Sequence, residues 1–271
     1  MKEQPANEMA MLNSAISYVQ EVGKLIVDRM KMPLRINEKI NHSDLVTEVD
    51  LYSESFLRER IKRDYPDHWI LSEEANTDTD AYSIMKQPPE GYGWIIDPID
   101  GTTNFIHGIP HFAISIGMVN NGIPICGVVY NPMTEDLYFA QSEGGAFLNS
   151  QPIQVGPAKE MSEALLATGF QATDWKPDSV VLEQIGKIAG IARNVRIIGS
   201  ASLDLCLVAS GQLTGFWHDG LYPWDVAAGL IIIQEAGGKV TNREGKPFCL
   251  SDNTLVASNS FIHPALLSIL K

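Results

Sequence analysis

Apolar residues at the start of the chain recur with a helical period. Leu12, Ala15, Ile16, Val19, Val22, Ile26, Val27 and Met30 predict a helix over Met9–Met30 that Pro33 ends. Leu34–Ile40 reads as a strand. Leu57, Ile61 and Tyr65 then make an apolar stripe beside Glu54, Arg58 and Lys62, a second helix that opens at Thr47 or Asp50 and stops at Pro66. Trp69-Ile70-Leu71 is a short strand that delivers Ser72-Glu73-Glu74. The polar stretch Asn76–Gly91, with Pro88 and Pro89, predicts a surface excursion that is partly helical at most. Strand-like runs follow at Trp94–Ile96, Phe112–Val119, Ile123–Tyr130, Leu137–Gln141, Ala146–Leu148 and Ile153–Val155. Asn121-Gly122 joins two of them as a hairpin, so this region is an antiparallel meander rather than a strand–helix alternation.

A break at Gly156-Pro157 divides the chain into an N-terminal α+β half, 1–156, and a C-terminal α/β half, 157–271. The second half predicts strands at Leu165–Thr168, Val195–Ile198, Thr214–His218, Lys239–Thr241 and Thr254–Ala257. Its helices are Ser179–Ile191, one from the Gly199-Ser200-Ala201-Ser202 run to about Ala209, Trp224–Ala236 and Pro264–Leu270. The class is α+β.

Composition narrows the function. A hydrophobic share of 45% over 271 residues supports a substantial core. A formal net charge of −13 argues against nucleic acid and anionic membranes as partners, but not against a small anionic substrate met through a cation. Cys126, Cys206 and Cys249 are odd in number and far apart, which points to a reducing cytoplasm and away from disulfides or a zinc ribbon. No apolar run approaches the ~20 residues of a membrane span.

The candidate chemistry lies where strands and turns end. Trp94-Ile-Ile-Asp-Pro-Ile-Asp-Gly-Thr-Thr-Asn104 delivers two carboxylates, Asp97 and Asp100, and then Gly101 and hydroxyls that can open a helix or an anion nest. Acids beside anion-binding amides repel a phosphate unless a divalent cation lies between them. A turn accounts for the Asp, Pro and Gly, but not for two acids next to a nest. Asp50, Glu73 and Asp225 also sit at element ends. Each has a simpler reading alone, as a helix cap or a solvated acid; together, carboxylates from separate elements are what magnesium needs. His107 and His111 are four apart, but Gly108 and Pro110 between them argue against a helical zinc pair. His218 beside Asp219 reads as an acid–base pair or, better, as a substrate-facing residue or simply the polar end of a strand.

These segments resemble the inositol monophosphatase family of magnesium-dependent, lithium-sensitive phosphatases. Trp94–Asn104 is similar to its first signature, and Trp224-Asp-Val-Ala-Ala-Gly229 running on to Glu235-Ala-Gly-Gly238 is similar to its second. Asp44-Leu-Val-Thr-Glu-Val-Asp50 and Ser72-Glu-Glu-Ala75 fit in the same order. The resemblance implies a layered αβαβα sandwich, a homodimer, and two to three Mg2+ ions. It implies that Glu73, Asp97 and the carbonyl of Ile99 hold one ion, with the main metal site in 1–156. Asp97, Asp100 and Asp225 hold a second, so that 157–271 completes the site, and Glu73 aids a third through water. Gly101 and Thr102 would bind phosphate. Thr102 with Asp50, assisted by Glu73, would serve catalysis by metal-activated water, and Ala201, Asp100 and His218 would meet the substrate. His218 stands where several inositol phosphatases carry a glutamate that contacts the ring. The expected substrate is a small phosphate ester, inositol 1-phosphate first. Fructose 1,6-bisphosphate, NADP(H) and 3′-phosphoadenosine 5′-phosphate are alternatives, and a non-catalytic metal- and phosphate-binding regulator is the reading from outside enzymology.

Overall fold

The computed structural model describes residues 4–76 and 78–271. The first half opens with α1 (Gln4–Arg29), the hairpin strands β1 (Ile36–Glu38) and β2 (Leu45–Thr47), and α2 (Glu48–Asp64). It continues through β3 (Trp69–Ser72), α3 (Asp78–Lys86), β4 (Tyr92–Asp100), α4 (Thr102–Ile106), β5 (Ala113–Asn120) and β6 (Ile123–Asn131). It closes with β7 (Asp136–Gln141), β8 (Gly145–Leu148) and β9 (Gln151–Pro152). The second half holds β10 (Leu165–Thr168), α5 (Val180–Ile188), β11 (Asn194–Arg196), α6 (Ala201–Ala209), β12 (Gly215–Asp219), α7 (Pro223–Glu235), β13 (Lys239–Thr241), β14 (Thr254–Ser258) and α8 (His263–Leu270).

Seven strands form one sheet in the chain order β3 to β9, antiparallel except for the β3–β4 pair. Five form a second, mixed sheet in the order β11-β10-β12-β14-β13. Alternation along the strands decides what each face meets. In β4, Trp94 and Ile96 point to a core shared with Leu12, Val19, Val22 and Ile26 of α1 and Leu57 and Ile61 of α2. Ile95 points the other way, into a core shared with α6, α7 and the second sheet through Leu205, Ile231, Phe216 and Leu255. On the far face of the second sheet, Leu166, Trp217 and Val256 pack on Ile188 of α5 and Leu266 of α8. The molecule is therefore an αβαβα sandwich, and the expected architecture is present.

The middle helix layer explains a feature of the sequence. In α7, Val226, Ala227, Ala228, Leu230, Ile231, Ile232 and Ile233 are all buried, so the helix is apolar all round. A helix held between two sheets has no solvent face to keep polar.

Some local readings differ from the structure. The Leu34–Ile40 run pairs only over Ile36–Glu38. Ile153–Val155 is not a strand; the pairing to β8 falls on Gln151 and Pro152, with one more bond from the Ile153 amide to the Ala146 carbonyl oxygen at 2.9 Å. The Asn76–Gly91 stretch is partly helical, as expected, through the nine-residue α3, but it is not wholly a surface excursion, because Ala81 and Met85 join the central core.

Candidate metal and phosphate site

The site forms where β4 ends. Asp97 pairs with Ser115, but Asp100 pairs with Ala113, so β4 spends one extra residue against β5. Carboxylates three apart on a regular strand point to opposite faces. A bulge at Pro98-Ile99 turns Asp100 to the same side as Asp97. The amide of Ile99 donates to Asp97 Oδ1 at 3.0 Å and fixes that turn. Gly101 follows at φ +94°, where a Cβ would sit 2.9 Å from the Gly199 carbonyl oxygen, so only glycine fits. Thr102 then begins α4.

Asp225 arrives from the other half. It is the third residue of α7, and its Oδ2 accepts from the amide of Tyr222 at 2.7 Å. Ligand atoms of Asp97, Asp100 and Asp225 all lie within 4.8 Å of one another. Burial, and then the charges of Glu73, Asp100 and Asp225, push the Asp97 carboxyl well above the usual carboxylate range. Three hard oxygen donors that repel one another at this spacing fit a hard divalent cation, which would relieve the repulsion.

Glu73 stands beside Asp97, and its carboxylate also accepts from Lys39 Nζ at 2.8 Å. The same ammonium reaches Glu74 at 2.7 Å. Burial works against the Lys39 charge, yet the two glutamates outweigh it and hold the ammonium above the usual lysine range. Asp50 serves two purposes. Its Oδ2 accepts from the Thr47 amide at 2.9 Å in the capping box of α2, and its Oδ1 accepts from Thr102 Oγ1 at 3.1 Å. Thr102 Oγ1 also lies 3.1 Å from the carbonyl oxygen of Ile99. Burial pushes Asp50 upward, and the hydrogen bonds from Thr47 and Thr102 act in the opposite direction.

Asp100, Glu73, Asp225, Ala201 and His218 line one cavity of about 1070 Å³. His218 is buried and its Nδ1 lies 2.8 Å from its neighbour's carbonyl oxygen. Burial lowers its pKa, so the ring is neutral near pH 7. The adjacent Asp219 is tied up in an ion pair with Arg243.

The sequence reading passed over two groups that hold the site. Ser200 caps α6, but its side chain makes no bond to its own helix. Instead Ser200 Oγ, the Ser202 amide and Ser202 Oγ donate to Asp100 Oδ2 at 2.6, 2.7 and 2.5 Å. Asp100 thus replaces a local cap, and its charge faces the positive end of a helix. The signal was the serine pair at a helix start; its target lies a hundred residues away. Lys39 is the other, visible in sequence only as a lone cation before a polar loop.

A five-layer α/β sandwich with acids from both halves gathered beside a glycine-opened helix defines a metal-dependent phosphatase. Residues 8–271 match the model of the inositol monophosphatase family. An inositol-1-monophosphatase of Synechocystis is 38% identical, over 97% of this chain and 89% of its own length. The Nus factor SuhB of Pseudomonas aeruginosa is 37% identical, over 96% of each chain. The crystal structure of the extragenic suppressor protein SuhB of Bartonella henselae superposes with a TM-score of 0.87 at 31% identity, over 97% of this chain and 98% of that one. The chain belongs to the inositol monophosphatase family, whose members are phosphomonoester hydrolases.

Proposed function

We propose that this protein is a Mg2+-dependent phosphomonoesterase acting on a small polyol monophosphate, with inositol 1-phosphate as the first candidate. The observation that carries the reading is the convergence of Asp97, Asp100 and Asp225 within 4.8 Å. These residues, with Glu73 and the Ile99 carbonyl, would hold two to three ions. When bound, the ions neutralise the phosphate and acidify water. Gly101 and Thr102 open α4 and would turn their amides to the phosphate oxygens. Thr102 Oγ1, hydrogen-bonded to Asp50, orients a water and passes its proton towards the Asp50 carboxylate. Water oxygen bonds to phosphorus as the ester oxygen leaves and takes up a proton. Ala201 and His218 would border the alcohol.

The cavity favours one phosphate over two. Lys39 is the single lysine or arginine among the described residues that line it, and two glutamates already engage it. A second phosphate, as in fructose 1,6-bisphosphate or 3′-phosphoadenosine 5′-phosphate, would meet no further cation. The wider reading includes 1–156 and 157–271 as two halves that complete one site, a homodimer, and a cytoplasmic location. Among the described residues no helix is long and apolar enough to cross a membrane.

The test is phosphate release from inositol 1-phosphate, fructose 1,6-bisphosphate, NADP and 3′-phosphoadenosine 5′-phosphate, with and without Mg2+. Asp97→Asn serves as the control. The expected result is Mg2+-dependent release, highest for inositol 1-phosphate, and a fall of more than ~100-fold in the variant. Equal release by the variant would overturn the assignment of Asp97 as a metal ligand.

A further inference from the structure

One buried polar pair near the site has no part in the chemistry above. Asp204 lies on the first turns of α6, 2% exposed, between the core residues Leu203 and Leu205. Its Oδ1 faces His111 Nε2 at 3.5 Å. Among the described residues neither atom has a hydrogen-bond partner. A leucine at 204 would extend the apolar layer, whereas a carboxylate there is tolerated only with a partner. The partner comes from the loop after α4. That loop is pinned to the same neighbourhood, because Asn104 Nδ2 donates to the carbonyl oxygens of His111 and Ile198 at 2.7 and 2.8 Å.

Both ends of this pair lead to Asp100. On one side, Ser200 and Ser202, a turn before Asp204, make the three hydrogen bonds to Asp100 Oδ2. On the other, a Cβ on Gly101 would meet the His111 carbonyl oxygen at 3.3 Å, so the loop bearing His111 abuts the residue next to Asp100. Asp100 therefore sits in a notch between two segments that the His111–Asp204 contact holds together. Loosening the contact lets the first turn of α6 shift relative to β4, and the serine donors shift with it.

We propose that His111 and Asp204 are positioning residues for the metal site: their contact locks the first turn of α6 against the loop after α4 and so sets the place of Asp100. The proposal rests on the reading of Asp100 as a metal ligand. It follows that the pair acts on cation affinity rather than on the chemical step, and that its two members act as a unit.

The test uses the full chain and Mn2+ alone, with binding read by electron paramagnetic resonance in the absence of substrate. Asp204→Asn and His111→Ala should each weaken Mn2+ binding by about tenfold, the scale of lost outer-shell support. The double variant should be no worse than either single one. His111→Gln keeps a nitrogen near the Nε2 position and should restore most of the affinity. The Mg2+ concentration for half-maximal phosphate release should rise in parallel, with kcat at saturating Mg2+ within about twofold. Unchanged Mn2+ affinity in folded Asp204→Asn overturns the proposal, as does additive loss in the double variant. If His111→Ala fails to fold, Asp204→Asn and His111→Gln decide alone. Wild-type protein that binds Mn2+ but releases no phosphate from any ester would sink the phosphatase reading while leaving this one standing. Wild-type protein that binds no Mn2+ sinks both.

Discussion

His263 shows how one buried side chain sets a stability limit far from the site. It opens α8 with its ring fully buried, Nε2 3.0 Å from Thr241 Oγ1 and Nδ1 2.8 Å from Ser258 Oγ. Burial, with Lys239 nearby, lowers its pKa to about 4. A cation at the start of a helix is also disfavoured by the helix dipole. The unfolded chain takes up this proton near pH 6.5, and the folded one does not until about pH 4. The folded state is therefore unaffected above pH 6.5 and loses stability as the pH falls towards 4, by on the order of 3 kcal/mol. His263→Gln should flatten that part of the acid limb. Urea midpoints of the two proteins at pH 7, 5.5 and 4.5 would show it, since the other carboxylates cancel in the difference. A constant difference across the three values would mean that the wild-type ring is protonated with little penalty.

At the scale of elements, the position of α7 depends on two glycines in the first sheet. A Cβ on Gly117 of β5 would lie 2.5 Å from the Ala227 Cβ, and one on Gly127 of β6 would lie 2.6 Å from the Ala228 carbonyl oxygen. Gly117→Ala should destabilise the fold by about 1–3 kcal/mol through overpacking. Because α7 carries Asp225 in its first turn, the variant should also need more Mg2+ for half-maximal phosphate release. A fall in the denaturation midpoint with no change in that Mg2+ requirement would show that α7 adjusts without moving Asp225. This close approach marks what the sequence could and could not reveal. α1, the meander strands and α7 were legible because period and length are local properties. The start of α2 was legible only as Thr47 or Asp50; in the fold Thr47 is the cap, and Asp50, third in the helix, completes the capping box. The bulge at Pro98-Ile99 was not legible, since it appears only when β4 is laid against β5. That α3 would bury Ala81 and Met85 was not legible either, because its flanking polar residues and prolines read as surface. The acids of the site could be listed from their places at element ends, but their convergence could not be derived from spacing. Ser200 and Ser202 read as an ordinary helix start, and only the folded chain places Asp100 over them.

At the scale of the molecule, the acidic cluster brings together residues distant in the chain while their charges oppose the approach. Asp97 and Asp100 belong to the first sheet, and Asp225 belongs to a helix of the second half. Burial first, and then the neighbouring charges of Glu73, Asp100 and Asp225, push the Asp97 carboxyl up, so mutual repulsion is a cost that the fold carries. On the proposed reading, a divalent cation held by all three would bind the folded chain and find no comparable site in the unfolded one. At a hundred times its dissociation constant it would add about 2.7 kcal/mol. For a chain of this size that is a rise in Tm on the order of 5–10 °C. Asp97→Asn keeps an oxygen to accept from the Ile99 amide but removes one repelling charge. In EDTA the variant should therefore melt no lower than the wild type, and Mg2+ should raise its Tm far less. Calorimetric scans of both proteins, with EDTA and with Mg2+, separate the two effects. A wild-type Tm indifferent to Mg2+ would mean that the three carboxylates are held together by the fold alone. The ordering expected here, an inactive variant at least as stable as its parent without metal, is what the proposed metal site entails, because carboxylates gathered to hold a cation destabilise the chain that lacks one.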